Sequence, residues 1–553
     1  MNNIKEKDDS TKVSSEKVTT YDTEITPVLD MTVTQMEVAA EENAKKEVEQ
    51  TIWQSAKACR WGLFWCFTVS MCVIMEGYDL NLLGNFFAFP EFARRYGNFV
   101  SEEAGYQLTP AWQAGLNNGS GVGAFFGTLL NGYLSTKFGH KRVLITALAV
   151  LSCLIFITFF AQSVVMLLIG QLLSGLTWGV FATTAPAYAS EVLPLNLRVY
   201  MTSWTNMCFI IGQLIASGVL AGLVGFESEW AYRIPFALQW VWPAFLIPLL
   251  CFAPESPWHL VRQGRPEEAK QTLKRLYGKN TTEVQIQDTL AAITKTNALE
   301  EEMQIGTSYR DCFKGFEARR TEIACVCFAG QVLGGSSFAY NSTYFFQQVG
   351  LTSNQTYKLN VGGTGMALFG AFCSWFFVMP YFGRRRIYLT GMGFCTCVLF
   401  IIGILNTQTD NDRVGLSQAI LTLVWTFGYQ LSMGQLGWSI PAEVGSTRLR
   451  QKTVCIARNA YYIVSVISQV LQPYFMNPTA WNLRGYTGFF WGSTALITFV
   501  WAYFRLPELK GRSYEELDVL FAQGVPARKF KTTEVSTIHA EETKYVQTTL
   551  EKS

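Results

Sequence analysis

The chain has 553 residues, of which 49% are hydrophobic, 14% aromatic and only 16% charged, with a mean hydropathy of +0.17. Soluble domains carry about 25% charged residues, so the composition excludes an ordinary soluble globule and indicates a polytopic membrane protein. A net charge of +2 with no dense basic stretch excludes a nucleic-acid partner.

Residues 1–60 are polar and rich in Glu, Lys and Thr, and are read as a disordered cytoplasmic tail. No cleavable signal precedes the first apolar run, which is long enough to span and serves as its own insertion signal. Windows of about 20 residues, the length that crosses a hydrocarbon core, give twelve predicted spans: 62–88, 112–134, 143–161, 164–186, 200–224, 235–253, 321–346, 360–380, 387–405, 415–440, 454–475 and 487–505. The expected fold is therefore all-α, with six helices at 61–253, a linker at 254–320, six more at 321–505 and a second cytoplasmic tail at 506–553.

The first span contains MCVIMEGYDLNLLGNFF (71–87), in which Glu76 and Asp79 stand three residues apart and so lie on one helical face. A carboxylate at mid-bilayer costs at least about 2.5 kcal/mol on insertion scales, so such acids face a wet cavity, pair with a cation or carry protons. Further along, Gly119/Gly123/Gly127 and Gly175/Gly179 have the small-residue spacing of close helix packing. The linker segment 265–304 has the Glu, Lys and Leu pattern of short surface helices.

The thirteen cysteines fall mostly within spans, and the C-x-C pairs Cys325/Cys327 and Cys395/Cys397 read as small apolar filler. With His140, His259 and His539 as the only histidines, no metal centre or cofactor is expected. Nor does any constellation read as catalytic. Of the sequons at Asn280, Asn341 and Asn354, Asn354 alone falls in a predicted outside loop, which makes it the glycosylation candidate.

Basic residues set the orientation. STKFGHKR (135–142), GRRR (383–386) and STRLRQK (446–452) carry three Lys or Arg each and fall on one side, which places both termini and the linker in the cytoplasm. The same segments reveal a repeat. SEVLPLNLR (190–198) returns as AEVGSTRLR (442–450), GHKR (139–142) as GRRR, and PES (254–256) as PEL (507–509), in the same order. Two parallel six-helix halves follow, an architecture that binds substrate near the midplane and alternates access by rocking.

GYD (77–79), PESPW (254–258) and PELKGRSYEELDVLF (507–521) give the chain its resemblance to the sugar porter family of the major facilitator superfamily, over roughly residues 60–522. YNSTYFF (340–346), YFGRRRIYL (381–389), ARNAYY (457–462) and NPTAWN (477–482) make it most similar to the fungal α-glucoside, or maltose-type, permeases. The resemblance implies proton-coupled import of α-glucosides such as maltose, by a monomer in the plasma membrane. Alternatives are a carrier of a monosaccharide, polyol or glycosylated metabolite, and a non-transporting sugar receptor. Symporters of the family pair the GYD aspartate with an arginine of the fourth span, but Gln171 stands there. The acid that α-glucoside permeases carry in the second span is replaced by Ala124.

Glu76, Asp79 and Arg458 are accordingly expected to form the proton-coupling group. Family positions that contact sugar map onto Gln213, Gln331, Tyr340 and Trp438. Gly330 and Ser336 replace larger amides of hexose and pentose porters, leaving room for a ligand bigger than a monosaccharide. Glu191, Arg198, Glu443 and Arg450, with Arg142 and Arg384, are expected to pair across the inner mouth as a cytoplasmic gate.

Overall fold

The structure is a computed structural model that describes residues 51–87, 89–101, 105–278, 281–302, 308–340, 353–407, 412–446, 449–476, 481, 483–512 and 514–533. Both tails beyond these limits, the sequons Asn280 and Asn341, and the side chains of Tyr340 and Asn354 lie outside the described residues.

The described part of each predicted span falls mainly on helix. Among the described residues, eight helices are long and apolar enough to cross a bilayer: Arg60–Phe86, His140–Phe159, Val164–Val192, Asn196–Leu223, Trp230–Cys251, Thr356–Val378, Arg384–Leu405 and Arg450–Gln472. The second, seventh, tenth and twelfth spans lie outside that set. The second (Pro110–Phe138) is diluted by Gly, Asn, Ser and Thr, and the twelfth (Thr487–Arg505) by Thr, Gly, Ser, Trp and Tyr. The seventh and tenth are broken. The seventh runs Gly315–Leu333, turns at Gly334 and Gly335, and resumes at Ser336–Tyr340; Gly335 has φ 97°, a left-handed conformation that glycine adopts at little cost. The tenth breaks at Ser432 between Asp412–Leu431 and Met433–Val444. The two breaks lean on each other, since Gln331 donates to the Gly434 carbonyl at 2.9 Å.

The sixth span is also discontinuous, as Trp230–Leu238 and Val241–Cys251. Pro243 supplies no N–H to the Gln239 carbonyl four residues back, so the helix opens at that point. Between the first and second spans lies a short antiparallel hairpin, Asn98–Ser101 on Gly105–Gln107, which hydropathy alone does not announce. The linker carries helices Pro257–Arg262, Pro266–Tyr277 and Glu283–Glu302 around a small core of Trp258, Leu273 and Ile286.

Glycines set how closely the spans approach. A Cβ on Gly123 would sit 2.0 Å from the Leu172 carbonyl oxygen, and one on Gly127 would sit 2.1 Å from that of Leu176. The first and fifth spans cross in the same way, with Gly77 against Phe209 and Gly212 against Ile74. Because the opposing atoms are backbone, no rotamer change relieves the clash. Gly123→Ala is expected to cost about 1–3 kcal/mol, whereas Gly115→Ala, with open space around it, should cost nothing. Melting of the two variants in detergent checks this.

Candidate functional site: a polar cavity between the two halves

The first and eleventh spans meet across the divide between the halves. Arg458 donates from Nη2 to Glu76 Oε1 at 2.8 Å, and the Tyr462 hydroxyl donates to the same oxygen at 3.0 Å. Both charged side chains are buried, at 2% and 1% exposure. The guanidinium also faces four aromatic rings, with centroids 4.3 Å away for Tyr461, 4.4 Å for Trp438, 4.8 Å for Tyr462 and 5.5 Å for Phe328. Desolvated cation–π contacts of this kind are each worth up to about 2 kcal/mol, so the cage holds the arginine where the bilayer interior would otherwise expel it.

Asp79 does not join this pair. Its Oδ1 accepts from Gln239 Nε2 at 2.7 Å and from Gln171 Nε2 at 3.4 Å, both within its own half. Three residues leave a rotation of about 60° between the two side chains. That is enough to send Glu76 toward the eleventh span and Asp79 toward the fourth and sixth. The amide of Gln171 thus takes up, with Gln239, the carboxylate that an arginine would otherwise meet. Sequence reasoning missed Gln239. Its only signal is a lone amide ahead of the apolar run VWPAFLIPLLC, at the break that Pro243 creates.

A cavity opens beside Glu76. Its walls include Asn81, Asn85, Asn117, Asn118 and Gln469, with Gln213 from the fifth span and the aromatic residues Trp178, Tyr461 and Tyr462. Ser336 and Ser337, which follow the break in the seventh span, complete it. Neutral amides and hydroxyls in one wall with aromatic residues suit a neutral, hydroxyl-rich ligand with an apolar face. Of the sugar-contact expectations, Gln213 lines this cavity, with its amide oxygen buried and lacking a protein partner among the described residues. Gln331 and Trp438 lie outside the cavity wall. Gln331 is held by Gly434, and the Trp438 indole donates to Asn206 Oδ1 at 3.1 Å beneath Arg458. The wall asparagines were not anticipated, because an amide in a span carries no periodic signal.

At the opposite end of the bundle the repeat becomes geometry. The backbone N–H of His140 donates to Glu255 at 2.9 Å, and that of Arg384 to Glu508 at 2.8 Å. His140 pairs with Glu191 at 3.2 Å, and Arg384 with Glu443 at 3.3 Å. These ion pairs lie within a half, not across the mouth as expected. Glu191 also accepts from Ser256 and approaches Arg262 at 3.5 Å. Arg198 donates to the Leu193 carbonyl, Arg142 is exposed and Arg450 is buried. Here the halves touch through other bonds, Trp375 to Ser203 at 2.7 Å and Ser439 to the Val199 carbonyl at 3.4 Å, and the linker's Tyr309 donates to the Leu129 carbonyl at 2.9 Å.

Two helical bundles, broken helices at their interface and a polar cavity between them define a secondary carrier of the multi-pass membrane class. The sequence profile of the family described as "Sugar (and other) transporter" matches residues 65–521, and the chain belongs to that family. A general alpha-glucoside permease of Saccharomyces cerevisiae is 38% identical over 504 residues, covering 90% of this chain and 81% of that one. The maltose permease MAL31 of the same yeast is 38% identical over 476 residues, covering 85% and 77%. Among solved structures, the proton:xylose symporter XylE bound to 6-bromo-6-deoxy-D-glucose superposes with a TM-score of 0.72 at 19% identity, over 84% of this chain and all of that one. An inward open conformation of XylE from E. coli gives 0.58 at 20% identity, covering 83% of this chain.

Proposed function

We propose that the protein is a proton-coupled importer of α-glucosides such as maltose, acting as a monomer in the plasma membrane with its basic end in the cytoplasm. The observation that carries this reading is the junction of an amide-lined cavity with a buried, cross-half pair, Glu76–Arg458. Identity to the two yeast permeases supports the substrate class. The small residue Ser336 in the cavity wall suits a ligand larger than one ring, whereas Gly330 makes no such room: it lies outside the wall, where a Cβ would meet the Tyr388 hydroxyl at 2.2 Å.

In this reading a proton from outside goes to a buried carboxylate, Asp79 or Glu76, and leaves to the cytoplasm after reorientation. Protonating Glu76 would weaken its bond to Arg458 and so release the first span from the eleventh. The pairs Arg384–Glu443 and His140–Glu191 would stiffen the cytoplasmic ends of each half, as one part of the inner gate. Uptake of labelled maltose, with glucose and sucrose as comparisons, in yeast stripped of its own carriers tests the substrate. Maltose uptake abolished by a protonophore is the expected result; uptake of glucose alone would transfer the reading to a monosaccharide carrier.

A further inference from the structure

The cavity has a second contact across the divide, about nine residues, or roughly 13 Å of helix, beyond Glu76 toward the end opposite the basic loops. Asn85 of the first span is buried there at 2% exposure and also lines the cavity. Its Oδ1 accepts from Asn360 Nδ2 at 2.7 Å, and its backbone carbonyl accepts from the Tyr357 hydroxyl at 2.8 Å. Tyr357 and Asn360 are three apart on the eighth span, so both reach one residue from one helical face. Tyr357 itself is 1% exposed.

On the inner side, Asn85 Nδ2 donates to the Asn81 backbone carbonyl at 2.6 Å and to Asn81 Oδ1 at 3.0 Å. Asn81 in turn donates to the Gln213 carbonyl and to Ser217, each at 2.8 Å. A continuous chain of hydrogen bonds therefore runs from the eighth span, in one half, through the Asn85 and Asn81 amides in the cavity wall to the Gln213 backbone carbonyl and Ser217 hydroxyl of the fifth span, in the other. Its two side-chain amides, Asn81 and Asn85, both line the cavity. A ligand that displaces or draws on any of these amides changes the partners available to the next.

We infer that Asn85 is a positioning residue that latches the cavity on the side opposite the basic loops, through Tyr357 and Asn360, and that links ligand contact to closure of that side. The inference rests on the transport reading for its purpose, but its test needs neither sugar nor protons.

Gly84 lines the cavity next to the latch, and a Cβ there would meet no atom within 4 Å, so Gly84→Cys is tolerated as a reporter. Intact cells carrying Gly84→Cys are treated with a membrane-impermeant thiol reagent, with cells lacking that cysteine as background. Adding Tyr357→Phe and Asn360→Ala together is expected to raise the labelling rate about fivefold to tenfold, the size that two lost interhelical hydrogen bonds produce. Tyr357→Phe alone, which removes one hydroxyl, gives a smaller rise and guards against misfolding of the double variant. Labelling unchanged or slower in both variants overturns the latch. Labelling seen only after permeabilisation overturns the orientation on which the latch depends, while leaving the substrate assignment to the uptake assay.

Discussion

Arg458→Leu is expected to reduce sugar uptake to background and to destabilise the protein by about 3–5 kcal/mol, the cost of leaving a buried charge without its partner. Removing the guanidinium leaves Glu76 with Tyr462 as its remaining hydrogen-bond donor. The four rings around the cation lose their common contact as well. Arg458→Lys should recover part of the stability and little of the uptake, because a compact ammonium cannot stack in the same cage. The decisive comparison is the double variant Glu76→Gln/Arg458→Leu. With both charges gone the desolvation penalty disappears, so melting in detergent should return close to that of the parent while uptake stays at background. Full uptake by the double variant would make the pair a structural tie and remove it from the mechanism.

Asp79→Asn is expected to separate sugar movement from proton movement. The amide keeps an oxygen where Oδ1 accepts from Gln239 and Gln171, so the helices stay in register and the protein should reach the surface. What the amide cannot do is take up and release a proton. Accumulation of labelled maltose against its gradient should therefore fall to equal concentrations inside and outside, and sugar-for-sugar exchange across preloaded vesicles should persist. Loss of exchange together with accumulation would instead assign Asp79 to packing. Gln171→Arg provides a converse test, since it restores a cation beside Asp79 and should alter the external pH at which accumulation is half-maximal.

The spans, their order and the two-half repeat could be read from hydropathy and motif spacing because those properties belong to stretches of chain. The site was harder, since rotation about a helix axis and the placement of helix breaks decide which residue meets which. Glu76, Asp79 and Arg458 are expected as one group from the resemblance to α-glucoside permeases and from their charge, which inside a bilayer leaves few alternatives. Asp79 went elsewhere by a 60° difference that spacing alone treats as one face. Trp438 has the residue type of a sugar platform, yet it stacks under Arg458 and binds Asn206. Asn81, Asn85 and Gln239 carry no charge and no period, so nothing distinguished them from amides used for helix packing. The charged motifs at the basic end were found by their recurrence. Their pairing within each half follows from the short loops that place His140 beside Glu255 and Arg384 beside Glu508.

The most direct test of proton-coupled α-glucoside import is the external pH recorded when maltose is added to weakly buffered cells that lack their own carriers and express this protein. Alkalinisation of the medium on maltose addition, absent with a non-substrate sugar and absent in Asp79→Asn, is the predicted result. Maltose entry with no pH change would contradict the account.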